Sequence, residues 1–228
     1  MTDPLATLAT PMVHLVDDDP QVAKALARVL REHGFRTAVF DSAEAFLAQR
    51  DVSVSGCLVL DVNLPGLDGL ALQRHLAEGG PALPIVFLTG HGDIPMSVRA
   101  VKAGAVDFLT KPVAAETLLA AVRAGLAEDA RARQALAESA ALRQRHASLT
   151  AREREVLAGL VAGRLNKQIA ADLGITEPTV KFHRARIMER MQARTVAELM
   201  HLVARLEPAP DARPAAVSGD VARDGPTT

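Results

Sequence analysis

The sequence predicts a doubly wound α/β domain with a five-stranded parallel sheet, followed by a second, all-helical domain on a long linker helix. Three observations carry that expectation. Between Val13 and Leu109, short apolar runs without polar alternation are interleaved with segments whose apolar residues recur at helical spacing. Such runs are how parallel strands covered on both faces read. Two of the runs end on acidic residues, at the strand edge where open α/β sheets place their chemistry. The charge then changes sign: residues 1–120 carry 9 Lys/Arg against 14 Asp/Glu, a net of −5, and residues 148–206 carry 10 against 6, a net of +4. An acidic front half suits cations and a basic back half suits polyanions.

The elements follow in order. After a short loose start, Val13–Val16 is the first strand, and a helix spans Gln21 to His33, capped by Asp19, started by Pro20 and ended by Gly34. Its apolar residues Val22, Leu26, Val29 and Leu30 have helical spacing. Strand Thr37–Phe40 leads to a helix opened by Ser42, with Glu44, Phe46 and Leu47. Strand Cys57–Leu60 ends on Asp61, and a helix covers Asp68–Ala77. Strand Ile85–Leu88 follows Pro84, a helix runs from Pro95 to Ala103 with Gly104 as terminator, and Val106–Leu109 is the fifth strand. Five βα units in this length argue for helices on both faces of one sheet.

From Glu116 to Arg145 the chain is rich in Ala, Leu, Arg, Glu and Gln and contains no proline, so one long helix is expected, bent or broken near Gly125. Leu119, Val122, Leu126, Leu136 and Leu142 give a patchy heptad seam, compatible either with a dimeric coiled coil or with a solvated spacer. Four amphipathic helices are then expected, over Ala151–Ala162, Asn166–Leu173, Glu177–Met191 and Thr195–Leu206. The boundaries that follow are 10–125 for the α/β domain, 126–147 for the linker, 148–206 for the helical domain, and 207–228 for a disordered tail rich in Pro, Ala, Gly and Asp. The 228 residues, 49% of them apolar, suffice for two cores. The single cysteine, Cys57, excludes a disulfide framework and a cysteine metal site, and reads as a small buried hydrophobe. The N-terminus lacks a basic region followed by an apolar core, and no apolar run reaches membrane-span length, so a cytoplasmic protein without membrane contact is expected.

Loops after the first and third strands of a doubly wound sheet are neighbours. Asp17, Asp18 and Asp61 can therefore converge, and three close carboxylates need a counter-charge. Oxygen ligands with high negative charge suit Mg²⁺, an ion that also suits phosphoryl transfer. Asp19 reads as a helix cap. Thr89 ends the fourth strand, where its hydroxyl is either a phosphate donor or an ordinary strand-end residue. Lys111 ends the fifth, where its ammonium can pair with Asp61 or with a phosphate on it. Lys111-Pro112 is a candidate cis peptide.

The motifs VDDD, LVLDVNLPGLDG, LTGHGDIPMSV and KAGAVDFLTKP resemble the receiver domain of two-component response regulators, and TGHGDIPMSVRAVKAGAVDFLTKP is especially similar to the FixJ-like group. The resemblance spans residues 10–206. It implies that a sensor histidine kinase phosphorylates Asp61. It implies that Asp18 and Asp61 bind Mg²⁺ with the backbone carbonyl of Asn63, Asp17 acting through water, and that Thr89 and Phe108 form a switch pair. Val113 stands where the family often has an aromatic residue, which implies an altered surface of the fifth strand and last helix.

In the helical domain, Thr150 and Glu153 form a capping box. Asn166–Leu173, the turn glycine Gly174, the cap Thr176 and Pro178 then lay out a helix-turn-helix, whose second helix enters the major groove. On that helix Val180, Ile187 and Met191 face inward, and Lys181 and Arg184, three apart, share another face. Phe182 points outward, suited to a thymine methyl or to dimer packing. LTAREREVL and NKQIAADLGITEPTVKFHRARIMERM resemble the LuxR-type DNA-binding domain. By that resemblance Lys181 and Phe182 contact bases, while Lys167, Thr179 and Arg184 contact phosphates. Ala185 departs from the basic residue common there, and Thr195–Leu206 is the dimerising helix.

The expected function is a phosphorylation-switched transcription regulator, an activator. Phosphorylation of Asp61 makes a homodimer, which binds double-stranded DNA and engages RNA polymerase. An aspartyl phosphohydrolase is the rival, but Asn63 occupies the position where such enzymes carry a second carboxylate as acid or base, so no enzyme activity is expected. A helical domain that binds protein instead of DNA is the second rival.

Overall fold

The computed structural model describes residues 10–78, 83–90 and 94–206. The expected tail, 207–228, lies outside the described residues. The chain divides into two compact units, at Leu136/Ala137.

The first unit alternates β1 (Met12–Val16), α1 (Pro20–Glu32), β2 (Arg36–Phe40), α2 (Ala43–Gln49), β3 (Gly56–Asp61), α3 (Gly69–Glu78), β4 (Ile85–Thr89), α4 (Ile94–Lys102) and β5 (Asp107–Thr110), and enters α5 (Ala115–Ala147). All strand pairs are parallel, in the order β2-β1-β3-β4-β5. Each expected strand and helix is present, with ends displaced by a residue or two.

Strand side chains alternate between two cores. Val13, Leu15, Cys57, Val59, Val86 and Leu88 pack with α1 and α5 on one face. Val16, Leu58, Leu60, Ile85 and Phe87 pack on the other, with residues of α2 and α3. Asp19 caps α1, accepting from the N–H groups of Gln21 (2.8 Å) and Val22 (3.3 Å). The face of α1 that is fully buried carries Ala23, Ala27 and Leu30, with Leu26 and Val29 only partly covered. Small side chains let this helix lie close to the sheet, which the apolar spacing alone does not reveal.

Helix α5 is unbroken at Gly125. The glycine serves a close approach instead: a Cβ there would stand 2.6 Å from Cys57 Sγ on β3. Burial pushes the Cys57 thiol up to about 12, so it stays protonated and inert. One turn further on, Asp129, 3% exposed, accepts from Ser55 Oγ (2.5 Å) and the Gly56 N–H (3.0 Å). Arg133 Nε donates to Asp129 Oδ2 (2.9 Å), and its terminal nitrogens donate to the carbonyls of Ser53 (3.0 Å), Val52 (3.3 Å) and Val54 (2.8 Å). The leucine seam is consumed in the same way. Leu119, Val122 and Leu126 belong to the first unit's core and Leu142 to the second's, leaving Leu136 exposed.

The second unit takes the end of α5 with α6 (Ala151–Val161), α7 (Asn166–Leu173), α8 (Glu177–Met191) and α9 (Val196–Ala204). Its core gathers Leu142, Val156, Leu157, Ile169, Val180, Ile187, Met191 and Leu199. The Thr150/Glu153 capping box is present, and Arg190 Nε lies 3.6 Å from the buried Glu153 carboxylate. Gly174, at φ +62°, ends α7, and Thr176 caps α8.

Two outcomes follow from this packing. Gly125→Ala is expected to destabilise the first unit by about 1–3 kcal/mol, because overpacking outweighs the helix-propensity gain. The added Cys57→Ala change should recover most of that in thermal unfolding, and an equally stable single variant would contradict the contact. Glu153 is held below the usual glutamate range, chiefly by the Thr150 N–H. Its folded value is depressed, so its stabilisation is present above the unfolded pKa and lost as pH falls through the folded one. Unfolding followed by circular dichroism should therefore show the helical unit weakening below about pH 4.5. Glu153→Gln, which retains an acceptor for the cap, should flatten that dependence.

Candidate functional site

Register builds the site. Val16 lies opposite Leu60, so Asp17 and Asp61 follow at the same level on adjacent strands. Thr89 lies opposite Thr110, which delivers Lys111 one residue later, and the Lys111 N–H donates to the Thr89 carbonyl at 2.7 Å. Ligand oxygens of Asp17, Asp18 and Asp61 all fall within 4.8 Å of one another. Asp17 and Asp61 are buried and Asp18 is exposed.

Lys111 Nζ supplies the counter-charge, donating to Asp17 Oδ2 (2.6 Å) and Asp61 Oδ2 (2.8 Å). Burial acts against its ammonium, but the two carboxylates outweigh that and hold its pKa above the ordinary lysine value. Burial also acts against the charge of Asp17, offset in part by Lys111 and by the Asp19 N–H (3.1 Å). The Lys111-Pro112 bond is cis, as expected. Asp61 Oδ1 accepts from the Asn63 N–H at 3.2 Å, which turns the chain at the strand end. The loop beyond is tied to α2, where Glu44 Oε1 accepts the Leu67 N–H at 3.2 Å. A Cβ on Gly66, φ +78°, would come within 3.0 Å of that oxygen. Sequence reading placed Glu44 only as part of α2.

Thr89 is fully buried at the end of β4. Phe108, on β5, is half-buried with its ring 6.1 Å from that of Phe87. Val113 is partly buried against the α1/α5 core. Three carboxylates converging on one point, with a backbone turn at Asn63, form an all-oxygen donor set that fits a hard divalent cation.

On α8, Val180, Ile187 and Met191 are buried as expected. The other candidates divide. Lys167 is exposed in the first turn of α7, and Lys181 is exposed with its Nζ 3.2 Å from Glu177. Thr179 is half-buried, its hydroxyl 2.8 Å from that of Thr176. Arg184 is half-buried, one turn along from Val180 and turned away from the centre of the exposed face. Phe182 is 59% exposed, with the Arg186 guanidinium 5.7 Å from its ring centroid. Arg186 was not among the expected site residues. Its signal in the sequence is the i, i+4 spacing from an outward phenylalanine.

Comparisons with known proteins agree with both units. Residues 13–123 match the response regulator receiver domain family, and residues 147–203 match the family of bacterial regulatory proteins of LuxR type. The chain is similar to the response regulator protein TmoT of Ectopseudomonas mendocina, 44% identical over 196 residues that cover 86% of this chain and 89% of TmoT. It is similar to the transcriptional regulatory protein FixJ of Azorhizobium caulinodans, 44% identical over 207 residues, 89% of this chain and 97% of that one. Among solved structures, the response regulator StyR matches with a TM-score of 0.77 at 48% identity, covering 86% of this chain and 100% of that chain. Full-length FixJ from B. japonicum matches with a TM-score of 0.52 at 40% identity, covering 86% and 97%. A sheet edge of converging carboxylates ahead of a capped helix-turn-helix, with these relatives along most of its length, places the chain in the response regulator family, with a receiver domain and a LuxR-type DNA-binding domain.

Proposed function

We infer that this response regulator is switched by phosphorylation of Asp61. The observation that carries the reading is the Asp61 carboxylate, buried at the end of β3, ion-paired to Lys111 at 2.8 Å and within ligand distance of Asp17 and Asp18. A partner sensor histidine kinase is the donor. The Asp61 oxygen attacks phosphorus, the P–N bond of the phosphohistidine breaks, and an acyl phosphate forms. Asp18, Asp61 and the Asn63 carbonyl would hold Mg²⁺ directly and Asp17 through water. When bound, Mg²⁺ neutralises charge on the transferring phosphoryl oxygens.

The chain's own groups do the rest. Lys111, already seated between Asp17 and Asp61, turns to the new phosphate and stabilises its charge. The Thr89 hydroxyl moves to a phosphate oxygen, and Phe108, half-buried on the neighbouring strand, turns into the space that Thr89 leaves. The surface of α4 and β5 then favours a homodimer. The paired helical units bind double-stranded DNA, with Lys167, Thr179 and Arg184 on phosphates and Lys181 and Phe182 on bases, and transcription by RNA polymerase is activated. The names of the relatives FixJ and TmoT support regulation of transcription and response regulation. This work is done in the cytoplasm, and among the described residues no helix is long and apolar enough to cross a membrane.

Incubation with Mg²⁺ and acetyl phosphate tests the assignment. The wild type should gain one phosphoryl group by intact mass spectrometry, and chelation should abolish the gain. Asp61→Asn should gain none while unfolding at a temperature close to that of the wild type. Phosphate on Asp61→Asn at the wild-type level would refute Asp61 as the acceptor.

A further inference from the structure

Side chains turn by about 100° per residue around an α-helix. On α8 this sets Phe182 about 160° from the buried Val180, at the middle of the exposed face, with Arg186 one turn along beside it. Among the described phenylalanines Phe182 is the one with large exposure, at 59%. It is not left to water alone. The guanidinium of Arg186 lies 5.7 Å from its ring centroid, and the half-buried His183 meets the ring edge-on, also at 5.7 Å. Glu189 Oε2 lies 3.7 Å from the Arg186 guanidinium. On the other flank Lys181 is drawn to Glu177, and Ala185 offers no donor.

We propose that Phe182 and Arg186 act as one stacked reading element, the ring taking a thymine methyl and the guanidinium the O6 and N7 of a neighbouring guanine, so that Arg186 is a specificity-determining residue. This rests on the DNA-binding reading above. The chemistry matches each group: an apolar surface suits the C5-methyl of thymine, and the planar two-donor fork of arginine suits guanine, which the point charge of lysine does not. Ring and guanidinium are far enough apart to meet adjacent base pairs, about 3.4 Å apart along the duplex. Both side chains are exposed, so their replacement should leave the fold of the helical unit intact.

The test is selection from a duplex library with a randomised core. It uses the full chain with Mg²⁺ and acetyl phosphate, alongside Arg186→Ala, Arg186→Lys and Phe182→Ala, each checked for folding by circular dichroism. The wild type should select a thymine next to a guanine. Both Arg186 variants should lose the guanine preference by on the order of tenfold or more, and Phe182→Ala the thymine preference. Arg186→Lys should keep the wild-type salt dependence, because its charge is unchanged. Arg186 variants that recover the wild-type sequence at wild-type strength overturn this proposal and leave DNA binding standing. A wild type with no salt-dependent affinity for any duplex overturns the DNA-binding reading, and this proposal with it.

Discussion

The ammonium of Lys111 between two buried carboxylates is the interaction on which the first unit's chemistry depends. Asp17, Asp18 and Asp61 meet because β1 and β3 are paired in a register that brings both strands to an end at the same level. Charges gathered so closely repel one another, and the site persists because Lys111 reaches Asp17 at 2.6 Å and Asp61 at 2.8 Å. The lysine comes from the far side of β4, so the three strands β3, β4 and β5 must be in register for it to arrive. Sheet pairing and electrostatics are thus one constraint seen twice.

The second unit is organised by its helix ends. Thr150, Thr176 and Thr195 each cap the helix that follows, and Gly174 turns the chain between α7 and α8. These caps fix where α8 begins, and its buried stripe of Val180, Ile187 and Met191 fixes its rotation. Together they decide which side chains face outward. That outward face is neither purely basic nor purely apolar: Phe182 occupies its centre, flanked by Lys181 and Arg186.

Much of this was legible in the sequence. Unalternating apolar runs marked the strands, and the acidic strand ends marked the pocket. Asp19, Pro20, the Thr150/Glu153 pair and Gly174 marked helix boundaries through local chemistry that acts within a few residues. What escaped reading depends on partners distant in the chain. Gly125 looked like a weak point of a long helix, but its role is set by Cys57 on β3. The leucines of α5 read as a patchy seam, for a coiled coil or a solvated spacer, but most are buried in the cores of the two units. His14 gave no sign of its surroundings: it is buried against Phe40 and Phe46, and burial followed by the nearby Arg50 lowers its pKa, which favours the neutral ring. Spacing alone brought Lys181 and Arg184 together but could not show their unequal exposure: Lys181 is exposed and Arg184 half-buried.

The Asp129–Arg133 network bears on where the first unit can be cut. Ser55, Gly56 and three successive carbonyls at 52–54 find their partners on a stretch of α5 that composition assigns to a connector. A fragment ending at Gly125 would strip those groups of their partners and uncover the start of β3, even though every strand remained. A fragment that keeps these hydrogen bonds therefore extends through Arg133, eight residues beyond Gly125.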